Sequence, residues 1–197
     1  MSPNYLELLD WRRQMADIFS EVRRRGPSSG TLAWFRARKD GLFREHPQSP
    51  LPPAARAGFT GLSYWPHDPE ARVEATIVAA MDVATAANEQ SLAIGHLEFT
   101  YRGAECRLGA FWIAGYGGGL FVPFRDATSG TETYGGGRYV HDSIKSADLG
   151  SDFQAGTVVL DFNYAYHPSC AYDPVWSCPL APASNRLDLA IRAGERL

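Results

Sequence analysis

The chain has 197 residues, 45% of them hydrophobic and 21% charged, the make-up of an ordinary soluble protein long enough to bury a full core without staples. A formal net charge of −3 argues against a protein that grips nucleic acid through a basic excess. No apolar run reaches the ~18 residues that a membrane span needs, and the opening MSPNYLELLDWRRQ lacks the apolar stretch of a secretion signal. The expected location is therefore the cytoplasm, where Cys170 and Cys178 are free thiols or ligands rather than a permanent disulfide.

Residues 4–25 read as an amphipathic helix, because Leu8, Trp11, Met15, Ile18 and Val22 recur three and four apart. Ser2-Pro3 is a start signal and Gly26-Pro27 a stop. A second helix is predicted from about Leu32 to Glu45, capped by Thr31 or Ser29. Leu32, Phe35, Leu42 and Phe43 should face the core, and Arg36, Arg38, Lys39 and Arg44 should face water. The prolines of HPQSPLPP end this helix and make 46–57 an extended surface connector.

Beyond Phe59 the period becomes two. Val73, Ala75 and Ile77 share one face of a strand, Met81 and Val83 continue it, and AANEQ at 86–90 reads as a turn. Residues 92–113 form a long hairpin turning at Arg102-Gly103, with Leu97, Phe99, Tyr101, Cys106, Leu108, Ala110 and Trp112 on its apolar face. Strands are also expected at 120–124, where Pro123 marks an edge or a bulge, and at 137–140, 157–162 and 186–192. The polar span 141–156 is a loop. Two helices ahead of about eight strands, with no βαβ rhythm, predict an α+β fold: helices on a mainly antiparallel, strongly curved sheet or barrel. The expected organisation is one domain over 1–197. Its helical part and connector occupy 1–57, and a β-rich part with an irregular 161–185 segment occupies 58–197.

The chemistry-bearing residues crowd the C-terminal third. The glycine runs 117–119 and 135–137 lack the lysine of a phosphate loop and read as turns. His167, Cys170 and Cys178 are spaced H-x2-C-x7-C, without the short knuckle of a zinc site, so no metal or cofactor is assigned. Cys170 is a candidate nucleophile with His167 beside it, against the alternative that both cysteines pack as small buried groups. Asp161 ends an apolar strand and shares a side with Asn163, a pairing suited to a base and its orienter. Arg138 is a candidate anion holder and Tyr134 a hydrogen-bond partner, against the alternative that Asp161 and Arg138 form a buried ion pair. Tyr164, Tyr166, Tyr172 and Trp176 would line a cavity, form an interface, or stiffen the segment.

Several strings here form a pattern: Asp126-Ala127-Thr128-Ser129-Gly130, Thr133-Tyr134, Gly137-Arg138-Tyr139, Asp161 through Tyr172, Cys178-Pro179-Leu180, Asn185-Arg186-Leu187 and Ala193-Gly194-Glu195. With Trp34, Arg38-Lys39-Asp40, His46-Pro47, Ser49-Pro50-Leu51, Phe59, Leu62 and Tyr64, the chain resembles, over nearly its whole length, the bacterial and archaeal family catalogued as domain of unknown function 1684. Family members often carry Asn-Pro-Pro where His167-Pro168-Ser169 stands here. The resemblance implies a shared pocket or structural lock and supplies no reaction.

The functional expectation is a small-molecule site at one end of the barrel, with acid–base chemistry on a small carboxylate or carbonyl compound if it is an enzyme. The alternatives are a non-catalytic ligand carrier, a module that pairs with a protein or a second copy of itself through Tyr and Trp, and, ranked last, a zinc protein.

Overall fold

The computed structural model describes residues 4–79, 86–88 and 91–197. Met81, Val83, Glu89, Gln90, Ser2 and Pro3, to which the sequence assigns a strand, a turn and a helix start, lie outside the described residues.

Helix α1 spans Tyr5–Arg25. Asn4 caps it by accepting from the amides of Leu6 and Glu7, and Gly26 (φ 76°) ends it by donating to the Val22 carbonyl. Helix α2 spans Ser29–Glu45. Its cap is Ser28, one residue before Ser29 and three before Thr31, the two predicted caps, and its hydroxyl accepts from the Thr31 amide at 3.0 Å. The two helices meet through Ile18, Phe19, Val22, Leu32, Phe35 and Leu42, and pack on the sheet's end through Ala147 and Tyr164. A single helical turn, α3 (Pro53–Arg56), interrupts the predicted extended connector.

Eight strands follow among the described residues: β1 Arg72–Ala79, β2 Ala86–Asn88, β3 Ser91–Tyr101, β4 Ala104–Ile113, β5 Gly119–Phe124, β6 Arg138–Asp142, β7 Ser151–Asp152 and β8 Thr157–Asp161. Their order is β6-β5-β4-β3-β1-β8-β7, with β2 beside β3, and every pair is antiparallel. The fold is thus α+β, two long helices on a strongly curled antiparallel sheet. The β3–β4 hairpin turns on Arg102 and Gly103, both at positive φ (51° and 77°), as a tight two-residue turn demands. Pro123 sits at a register shift between β5 and β6, so it marks a bulge inside the sheet rather than an edge. Trp112 is exposed, contrary to its predicted place on the apolar face. A register shift opposite Ala93–Gly95 breaks the alternation and buries Phe111 instead.

The curl is filled by protein. Leu97, Phe99, Leu108, Val122, Phe124, Leu160 and Phe162 line its inner face, and Leu187, Ile191 and Ala193 fill the centre. Residues 186–192, predicted as a strand, are instead an irregular plug. They pair with the stretch that follows β5, where Arg186 bridges Arg125 and the Leu189 carbonyl accepts the Ala127 amide, and their buried apolar residues face the inside of the curl. The segment after β8 also reaches the far edge, where Tyr166 exchanges two backbone hydrogen bonds with Tyr139 of β6.

Candidate functional site

The notable cavity lies outside the curl, between α1, α2 and the segment 166–178. It encloses about 190 Å³. Leu8, Trp11, Met15 and Phe19 of α1 and Phe43 of α2 form one wall, and Tyr166, His167, Trp176 and Cys178 form the other. Helical spacing puts the α1 residues on one stripe. The Trp176 indole N–H donates to the Pro50 carbonyl at 3.3 Å, which pins the irregular segment to the connector after α2. Three cations border the cavity, Arg12 and Lys145 at exposed positions and Lys39 buried at 4% exposure.

Lys39 was expected to face water. It occupies the helix stripe Leu32, Phe35, Lys39, Leu42, so burial follows from its register, and a buried ammonium requires a partner. That partner is Glu195, itself 1% exposed. Glu195 also accepts from the Tyr172 hydroxyl at 2.6 Å and from the His167 amide at 2.8 Å. Burial opposes the charge on Glu195, but Lys39, His167 and these hydrogen bonds outweigh it and hold the carboxyl below its usual range. The ammonium further lies 4.8 Å from the Tyr166 ring centroid and 5.4 Å from that of Phe43.

His167 borders this cavity and a second one of about 230 Å³, which Tyr172, Glu195 and Arg196 also line. Its Nε2 accepts the Tyr134 amide at 3.3 Å, so the neutral ring carries its proton on Nδ1, facing Glu195 Oε2 at 3.7 Å. Burial lowers its pKa to about 4, Glu195 opposing and the nearby cations of Arg138 and Lys39 assisting. The ring is therefore neutral at pH 7.

Arg138 stands apart from the cavity, 1% exposed. One terminal nitrogen donates to the carbonyls of Ala193 (2.5 Å) and Glu195 (3.1 Å), the other to that of Ile191 (2.7 Å) and to Asp126 Oδ2 (3.1 Å). Asp126 Oδ2 in turn accepts the Ile191 amide at 2.7 Å. Both terminal nitrogens thus donate to the chain itself, and the buried Nε has no hydrogen-bond partner. The suggested ion pair is corrected: its acid is Asp126, not Asp161. Burial lowers the guanidinium's pKa to about 10, against the pull of Asp126 and Glu195.

Asp161 and Asn163 do share a site, but it borders neither cavity. Asp161 Oδ1 accepts the Asn163 amide (3.0 Å) and its side-chain NH2 (2.9 Å), and Oδ2 lies 3.7 Å from Arg72. Asn163 is then fixed to the Asp68 backbone by bonds of 2.9 and 2.7 Å. Burial raises the Asp161 pKa, with the Asn163 bonds opposing. Tyr134 and Cys170 are neighbours, hydroxyl to sulfur at 3.9 Å, and the Cys170 amide donates to the Cys178 sulfur at 3.4 Å. Burial raises the Cys170 thiol's pKa, helped by its hydrogen bond with Cys178. Among the described residues, no group of three or more His, Cys, Asp and Glu side chains is placed to hold a metal ion.

His167, Tyr166, Tyr172 and Trp176, singled out in the sequence, lie at the cavities, and Lys39 and Glu195 join them there. Two signals were available: a lysine interrupting an apolar helical stripe, and the place of both residues in Arg38-Lys39-Asp40 and Ala193-Gly194-Glu195, two strings that carry the family resemblance.

No helix among the described residues is long and apolar enough to cross a membrane. No curated protein matches the chain. An uncharacterised protein of Haloarcula marismortui, solved by solution NMR, is 40% identical with a TM-score of 0.59, over 85% of this chain and 93% of that one. The family model described as "Protein of unknown function (DUF1684)" matches residues 57–196, and the chain belongs to that family.

Proposed function

We propose that the protein binds a small carboxylate with an apolar body in the cleft between the helices and segment 166–178. The observation that carries this reading is the lining. The walls are aliphatic and aromatic, three cations border them, and no carboxylate side chain lines the cavity. Trp11, Phe43 and Trp176 supply apolar contact, while Lys145 and Arg12 at the mouth and Lys39 at depth attract the charge.

Binding is favoured over turnover by His167. Its Nε2 is occupied by the Tyr134 amide and its Nδ1 faces Glu195, so neither nitrogen is free to take a substrate proton. Tyr166, Trp176 and His167 are the ligand-facing residues in this reading, with Tyr172 acting through Glu195. Asp161, Asn163 and Arg138 hold the walls in place from behind.

The test is an NMR titration with 3-phenylpropionate, following the indole signals of Trp11 and Trp176, beside the neutral alcohol and the cationic amine of the same skeleton. The carboxylate is expected to shift both indoles and to bind more tightly than either analogue. Equal binding of all three, or no movement of these two indoles, overturns the reading.

A further inference from the structure

Cys170 and Cys178 close a nine-residue loop that carries part of the cleft wall. Trp176 and Cys178 line the cavity and Cys170 does not. The two cysteines already touch: the Cys170 amide donates to the Cys178 sulfur at 3.4 Å, and the Cys170 sulfur lies 3.9 Å from the Tyr134 hydroxyl. Both are half-buried, open enough for a small oxidant, whereas the third cysteine, Cys106, is buried against the sheet's core. The loop ends are therefore neighbours, and an S–S bond of about 2.05 Å requires that the two sulfurs draw together.

We propose that Cys170 and Cys178 form a peroxide-sensitive modification site whose disulfide reshapes the cleft wall. One thiol gives up its proton and its sulfur attacks a peroxide oxygen, releasing one water and leaving a sulfenic acid. The second sulfur then displaces that hydroxyl as another water and loses its proton. In total two thiols and one hydrogen peroxide become one disulfide and two waters. Closing the bond pulls the Cys178 sulfur out of the wall toward Cys170 and Tyr134, and moves Trp176 with it. The effect on ligand rests on the binding reading above; the modification itself does not.

The whole chain is treated with hydrogen peroxide and examined by thiol counting, peptide mapping and intact mass, then by the Trp176 indole signal. The expected product has lost two hydrogens and two of three thiols, keeps Cys106 free, moves the Trp176 indole, and reverts with dithiothreitol. Cys106→Ser leaves all of this unchanged; Cys170→Ser and Cys178→Ser each abolish it while the other indole signals keep their native positions. Three surviving thiols, a gain of oxygen without a disulfide, a disulfide to Cys106, or a static Trp176 indole each overturn the proposal. Affinity for 3-phenylpropionate is expected to fall about threefold or more in the oxidised form, and unchanged affinity overturns the reshaping. If the disulfide forms and the indole moves but neither form binds the probe, the binding reading falls and the modification site stands.

Discussion

Two buried ion pairs sit within a few residues of each other in this fold, and they differ in what surrounds them. In Asp126–Arg138 the guanidinium meets three backbone carbonyls as well as its acid, and the acid meets backbone and hydroxyl groups of its own turn. In Lys39–Glu195 the acid is saturated by Tyr172 and the His167 amide, while the ammonium rests on two rings at the edge of a cavity. The first pair is sealed and does architecture. The second keeps one side open to the cavity. Burial alone therefore does not distinguish the two pairs; the space beside one of them does.

The largest effect should come from breaking the sealed pair. Arg138→Met leaves Asp126 charged and three carbonyls unpaired, and should cost about 3–5 kcal/mol in urea unfolding; a loss below about 1 kcal/mol would mean that the tail is held by its apolar residues instead. The open pair makes a prediction about pH. His167 has a folded-state pKa lowered to about 4 from an ordinary 6.5. Above pH 6.5 both states hold the ring neutral and its contribution is complete. Between pH 6.5 and 4 the unfolded chain takes up a proton that the folded one refuses, so about 3 kcal/mol should be lost across that window. His167→Gln should flatten that stretch of the pH–stability curve, and an identical slope in the variant would rule the histidine out as its source.

Glu195→Gln should cost about 2 kcal/mol, less than the loss at Arg138, because the ammonium left behind can reach cleft water. A loss equal to that of Arg138→Met would erase the distinction between the pairs. The smallest expected effect on stability is at the mouth of the cleft. Arg12→Ala with Lys145→Ala should leave the urea midpoint unchanged and weaken 3-phenylpropionate by about tenfold, with most of the difference vanishing at high salt. Unchanged affinity would assign the charge recognition to Lys39 alone.

Much of the fold could be read in the sequence because its signals are local. The α1 stripe, the Gly26-Pro27 stop and the β3–β4 alternation each lie within one element. The sealed pair was hidden because its parts come from separate stretches: Asp126 from a turn, Arg138 from a strand, and the carbonyls from residues 191–195. Backbone carbonyls leave no trace in residue identity, so nothing in the side-chain pattern showed that Arg138 was already occupied. The plug at 186–192 was misread for a related reason. Alternation reports which side chains are buried, and a chain threading a curled sheet can alternate without joining it as a strand. At the candidate site the aromatics announced a pocket, but only the fold brought α1 across from them.

The Arg138 bonds also bear on how the chain is made. The β3–β4 hairpin and both helices close over short separations and can form soon after they leave the ribosome. Arg138 must wait for carbonyls 53, 55 and 57 residues further along. Until about residue 195 has emerged, the guanidinium has Asp126 alone, and the inside of the curl lacks Leu187, Ile191 and Ala193. The sheet would then be a hydrophobic trough with an under-coordinated charge in it. Nascent chains stalled short of residue 191 should therefore stay protease-sensitive and attract holdase chaperones, while chains stalled on an added C-terminal linker long enough to bring residue 195 out of the ribosome should abruptly cease to do so.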